Sequence, residues 1–194
     1  MGSSKQLNGP KGPLYDPLGR VAVGGTGATV SMTPGSGISA GAGTLYRSLV
    51  TRQGAFIKTE IFIDLTGLNS STAGDIIGVN SAANCHLGQI TAAVNGTLFK
   101  GSYWCLEVPA TGEPDIDVFY ADEATGTEDA AVTGLTGDTA MKEAAADFTA
   151  VGQGFQFITV PPADKYIYLV GSGGGTDATY TAGQFVIELW GYPV

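Results

Sequence analysis

The sequence predicts an all-β fold: an antiparallel β-sandwich of jelly-roll-like type, preceded by an extended Gly/Pro-rich N-terminal arm and holding at most one short helix. Three observations carry this expectation. Apolar residues alternate with period two over several short segments, turn residues separate those segments, and no long helical periodicity supplies the crossovers of a parallel sheet. The 194 residues suit one domain, and 43% hydrophobic residues are enough for a core. Charged residues make up 14%, against about 25% in ordinary globular domains, and 30 glycines are about twice the usual share.

Residues 1–43 read as the arm and 44–194 as the β body. The arm is mostly Gly, Ser, Thr and Ala, broken by Pro10, Pro13, Pro17 and Pro34, and cannot form a core of its own. Its anchors are the apolar Leu14, Tyr15, Val21 and Val23 and the basic Lys5, Lys11 and Arg20. The arm reads either as a segment that orders on a partner or as a flexible tail. In the body, Ile57, Thr59, Ile61, Ile63 and Leu65 share one face of an extended segment, with Phe56, Lys58, Glu60, Phe62 and Asp64 on the other. Similar segments are 46–51, 86–94, 97–100, 103–108, 116–120, 155–160, 166–170 and 185–190. Asn95-Gly96 suits a type I′ hairpin between Val94 and Thr97, and Pro161-Pro162 ends the strand before it. The spacing of Met141, Ala144, Ala145 and Phe148 after Asp138 predicts one short helix over 138–148.

Charge is unevenly spread. Up to Lys100 seven basic residues face four acids, a balance of +3; beyond it Lys142 and Lys165 face fourteen acids, a balance of -12. The net charge of -9 argues against a general nucleic-acid binder, whose affinity would rest on Lys and Arg. Arg47 and Arg52 are the basic residues expected to face a partner, with the acidic half toward water. No apolar run approaches a membrane span, and no hydrophobic leader core stands near Met1.

Catalytic chemistry finds little support. His86 is the single histidine; it adjoins Cys85, but neighbours on a strand point to opposite faces, which leaves Cys105 as a conceivable partner. Cys85 and Cys105 read as two buried thiols, with one disulfide as the alternative. Gly25-Thr26-Gly27 lacks the rest of a phosphate-binding loop, and two cysteines with one histidine fall short of a zinc set. No cofactor is expected. Asp115, Asp117, Asp122 and Glu123 are hard oxygen donors of the kind Ca²⁺ takes, although an acidic loop facing water is the favoured reading. The sequons at Asn69 and Asn95 read as turn chemistry. Aromatic residues such as Trp104, Tyr120, Trp190 and Tyr192 read as core or interface, with a sugar-binding patch as the alternative.

The stretches 59–71 (TEIFIDLTGLNSS), 121–129 (ADEATGTED) and 187–192 (IELWGY) resemble small structural proteins of tailed bacteriophages, marine ones in particular. Within that group the size and β pattern are similar to capsid decoration or cement proteins. The resemblance implies a non-enzymatic virion protein on the capsid exterior, assembled in the host cytoplasm. It also implies a homo-oligomer, often a trimer, bound to the major capsid protein. A tail, fibre or adhesin component that binds a host glycan is the alternative, and a hydrolase using His86 is a more distant one.

Overall fold

The computed structural model describes residues 31–70, 72–142, 146–173 and 177–194. The expected anchors Lys5, Lys11, Leu14, Tyr15, Arg20, Val21 and Val23 lie outside these residues. The described strands are β1 (Leu45–Gln53), β2 (Phe56–Asp64), β3 (Asn69–Ser70), β4 (His86–Gln89), β5 (Thr97–Ala110) and β6 (Ile116–Ala121). They continue with β7 (Thr139–Ala140), β8 (Gly154–Gln156), β9 (Tyr166–Gly171), β10 (Ala178–Thr179) and β11 (Ala182–Tyr192). A five-stranded sheet runs β1-β2-β11-β5-β8, a four-stranded sheet runs β4-β9-β6-β7, and β3 pairs with β10. All pairings are antiparallel. The fold is all-β and sandwich-like, as the alternation predicts.

Period two sets the inner face of the five-stranded sheet. Ile57, Thr59, Ile61 and Ile63 of β2 are buried while Phe56, Lys58, Glu60, Phe62 and Asp64 point outward. Register places Ile61 opposite Ile187, and Ile187 opposite Tyr103, so three strands deliver their apolar residues to one side. The Phe185 ring lies 4.9 Å from both Tyr103 and Phe148. Each such side chain contributes roughly 1.5–3 kcal/mol through burial. In the second sheet Ile167, Tyr168, Leu169 and Val170 of β9 are all fully buried, so both faces of that strand are covered. Part of the cover is the loop after β6, which accepts a hydrogen bond from the Tyr168 hydroxyl at Glu123 O.

Four local expectations change. First, residues 31–43 belong to the body. Helix α1 (Ser36–Ser39) carries Ile38, which is fully buried, Met32 is buried, and Gly35 N–H donates to His86 O at 2.8 Å. This segment packs closely: a Cβ at Gly37 or Gly78 would lie 2.4 or 2.2 Å from Cys85 Sγ, so only glycine fits. Small residues that read as arm composition are in fact close packing. Second, Asn95-Gly96 is not a hairpin turn. It ends the single-turn helix α2 (Ala92–Asn95), capped by Thr91, with Gly96 alone at φ 69°. Asn95 is drawn inward because its amide donates to Thr59 Oγ1 at 2.9 Å and accepts from Thr91 N–H. As a result β4 stops at Gln89 and pairs with β9.

Third, the described part of 138–148 is not helical. Thr139 and Ala140 pair with β6, and Met141 N–H donates to Val118 O, so sheet pairing overrides a weak helical pattern. The one-turn helices α1 and α2 stand where none is expected. Fourth, 97–100 and 103–108 are one strand, β5, because Gly101 and Ser102 continue its ladder to β11.

Candidate functional site

The outer face of the five-stranded sheet is the most distinctive surface. Leu45 and Leu49 from β1, Phe56 from β2, Phe99 and Leu106 from β5 and Tyr192 from β11 are exposed. Val151 and Ile158, which flank β8, and the terminal Val194 complete the large exposed apolar residues among the described ones. The four-stranded sheet contributes none. Half-buried Phe62, Val186, Trp104 and Trp190 lie between them in the same rows, since Phe62 pairs with Arg47 and Val186, and Val186 with Trp104. At one corner the rings of Phe56 and Phe99 are 5.7 Å apart and those of Phe99 and Tyr192 6.4 Å. A shallow groove of about 370 Å³ is lined by Arg47, Leu49, Glu60, Phe62 and Val186.

Charges on this face largely neutralise one another. Lys58 Nζ lies 2.8 Å from Glu60 and 2.5 Å from Glu188, and these two carboxylates hold its pKa above the usual lysine value despite partial burial. Lys58 and Lys100 sit 5.6 and 5.1 Å from the centre of the Trp190 ring. That ring is therefore engaged with cations rather than free as a platform for a sugar. A face of this kind can bury apolar area against a protein with few unpaired charges to desolvate.

Arg47 and Arg52 do not share a face. Arg47 projects outward opposite Phe62, whereas Arg52, five residues on, is opposite Ile57 and alternates to the other side. The split at Lys100 also does not become two ends of the molecule, because β11 lies between β2 and β5 and brings Glu188 to Lys58.

The four acids considered for Ca²⁺ are dispersed. Asp115 and Asp117 are buried beside Lys142, whose Nζ lies 3.0 and 2.9 Å from their Oδ1 atoms. Asp122 pairs with Lys165 at the far end of β6, and Glu123 accepts from Thr136 N–H, which lowers its pKa. No metal-ligating cluster occurs among the described residues. Lys142 is the buried, ion-paired residue to which the sequence assigns no role. Its signal was its isolation: it is the one basic residue between Lys100 and Lys165, in the acid-rich half.

Both cysteines are free and buried, and burial raises both thiol pKa values, that of Cys85 to about 11. His86 borders an open cleft of about 490 Å³ lined also by Met32, Pro34, Gln89, Thr91 and Tyr166. Its Nδ1 is buried without a hydrogen-bond partner, and its ring stands edge-on to Tyr166 at 4.9 Å. Cys85 turns the other way, its thiol donating to Ala82 O. Burial lowers the His86 pKa. A depressed histidine pKa favours the neutral form in the fold, so stability is complete above about 6.5 and is lost as pH falls below that value. Unfolding curves between about pH 7 and pH 5 should therefore slope less steeply for His86→Leu than for the wild type; equal slopes would remove His86 from the titration.

The two sequon asparagines are structural. Asn69 Nδ2 donates to Glu128 at 3.1 Å and to Asp177, and Asn95 is fully buried, so neither amide is presented for modification. No helix among the described residues is long and apolar enough to cross a membrane. Comparisons with protein-family models, with characterised proteins and with solved structures return no match.

Proposed function

We propose that the chain is a non-enzymatic structural protein of a virion, a capsid decoration or cement subunit that forms a homo-oligomer and docks on the major capsid protein. The observation that carries the reading is the confinement of exposed large apolar residues to the five-stranded sheet, its flanks and the chain end. A surface of that kind is uneconomical for a protein that stays alone in water. The same sheet edge is where the N-terminal segment joins the body: Met32 N–H donates to Ser48 Oγ of β1 at 2.7 Å, and Ser48 Oγ donates back to Met32 O. Residues 1–30, the arm expected from composition, are the second contact that the proposal assigns to the same partner.

The test replaces three exposed face residues, as Leu49→Gln, Phe56→Gln and Phe99→Gln together. Each is a surface change worth at most about 0.5 kcal/mol of stability, so the body stays folded. Co-sedimentation with capsids should fall at least tenfold. Undiminished co-sedimentation of the folded triple variant would overturn the assignment of the face. A glycan array serves the tail or adhesin alternative: the reading expects no sugar signal.

A further inference from the structure

We propose that Lys142 and Asp117 form an intramolecular isopeptide bond, with Asp115 carrying the protons. Lys142 is the only buried basic residue among the described ones, and its side chain has no exposed surface. Its Nζ lies 5.2 Å from the centre of the Phe148 ring and 4.6 Å from that of Phe155, in an aromatic pocket that excludes water. It donates to Asp115 Oδ1 at 3.0 Å and to Ile116 O at 3.2 Å. Asp117 Oδ1 is as near, at 2.9 Å, yet makes no directed hydrogen bond. The other oxygen of Asp117 is held by the Ser172 hydroxyl.

The two carboxylates are therefore inequivalent. Asp115 is the hydrogen-bonded neighbour of Nζ and is placed to take its proton. Asp117 presents its carboxyl group to the amine off the hydrogen-bond direction, while Ser172 Oγ–H is placed to stabilise the charge that develops on Oδ2 when Nζ adds to Cγ. Nζ passes a proton by way of Asp115 to Asp117, the neutral amine adds to Cγ of the protonated acid, the second proton follows through Asp115 to the leaving oxygen, and the Cγ–O bond breaks. One N–C bond forms and one C–O bond breaks. Both protons lost from the ammonium leave with that oxygen as one water, and Asp115 ends as it began. No oxidant, reductant or cofactor is needed.

Two physical effects favour the step. Held side by side, the groups react with the high effective concentration of an intramolecular pair. Condensation also cuts the buried charges from three to one, which relieves the cost of keeping an ammonium and two carboxylates out of water. The Asp117 side chain retains some exposure, 12%, which gives the released water an exit. The bond would join β6 to the segment after β7 and fix that part of the four-stranded sheet against shear, a property independent of the docking proposal.

Trypsin and mass spectrometry on the full chain test it directly. Lys142 is the only trypsin site between Lys100 and Lys165. The bridged protein should yield a single peptide 101–165, lighter than its sequence mass by one water, with fragment ions placing the bridge at Lys142 and Asp117. Asp115→Asn, checked for folding by circular dichroism, should yield mainly unbridged 101–142 and 143–165, as should Asp117→Ala. Wild-type protein that gives these two peptides at full mass overturns the proposal. A bridge from Lys142 to Asp115 overturns the assignment of acceptor and proton carrier.

Discussion

Lys142→Met should lower the stability of the protein by at least about 3–5 kcal/mol, the cost of removing one partner from a buried ion cluster, with the loss of the proposed bridge added to it. The reason is what stays behind. Asp115 and Asp117 are buried, and Lys142 is the cation at 3.0 and 2.9 Å from them. Without it, two carboxylates share a site lined by Phe148 and Phe155. The loss is a large fraction of the roughly 5–15 kcal/mol that holds a typical domain folded. Adding Asp115→Asn and Asp117→Asn to Lys142→Met removes every charge at the site and should recover the electrostatic part of the loss, though not what the proposed bridge contributes. Urea unfolding checks both, through a lower midpoint at unchanged slope for the single variant. A single variant as stable as the wild type would mean that the lysine does not compensate the acids.

Truncation at residue 30 and truncation at residue 43 should behave as different experiments. Removing 1–30 leaves Met32, Ile38 and their contacts in place, so the body should keep its stability while losing whatever the arm supplies to a partner. Removing 1–43 strips two buried apolar side chains, worth about 4 kcal/mol together, and uncovers the Cys85 thiol on which Gly37 packs. It also deletes the Gly35–His86 and Met32–Ser48 hydrogen bonds. Thermal melting of the two truncated proteins separates the outcomes. Equal melting temperatures would return residues 31–43 to the arm.

The sheets were legible because period two is a local signal. β2 and β11 alternate without interruption, and the expected segments overlap the long strands within a few residues. What the sequence hid depends on distant partners. Asn95 looks like a hairpin residue until Thr59, thirty-six positions away, is found to take its amide. Gly35, Gly37 and Gly41 read as linker composition, although the first two are glycine because Asn84 and Cys85 lie against them. The acidic half looked solvent-facing, yet Glu113, Asp115, Asp117 and Glu128 are buried, each with internal partners that no run of charges reveals. The exposed apolar face was half legible: Phe56 and Phe62 stand on the outer side of a readable strand, but only the pairing of β2 with β11 and β11 with β5 joins them to Val186, Trp104 and Tyr192.

An image of assembled particles at a resolution that orients the body tests the docking account most directly. The account predicts density on the capsid exterior, with the outer face of the five-stranded sheet against the major capsid protein and the four-stranded sheet turned to solvent. A body attached through the four-stranded sheet, or a protein found only on the tail, would contradict it.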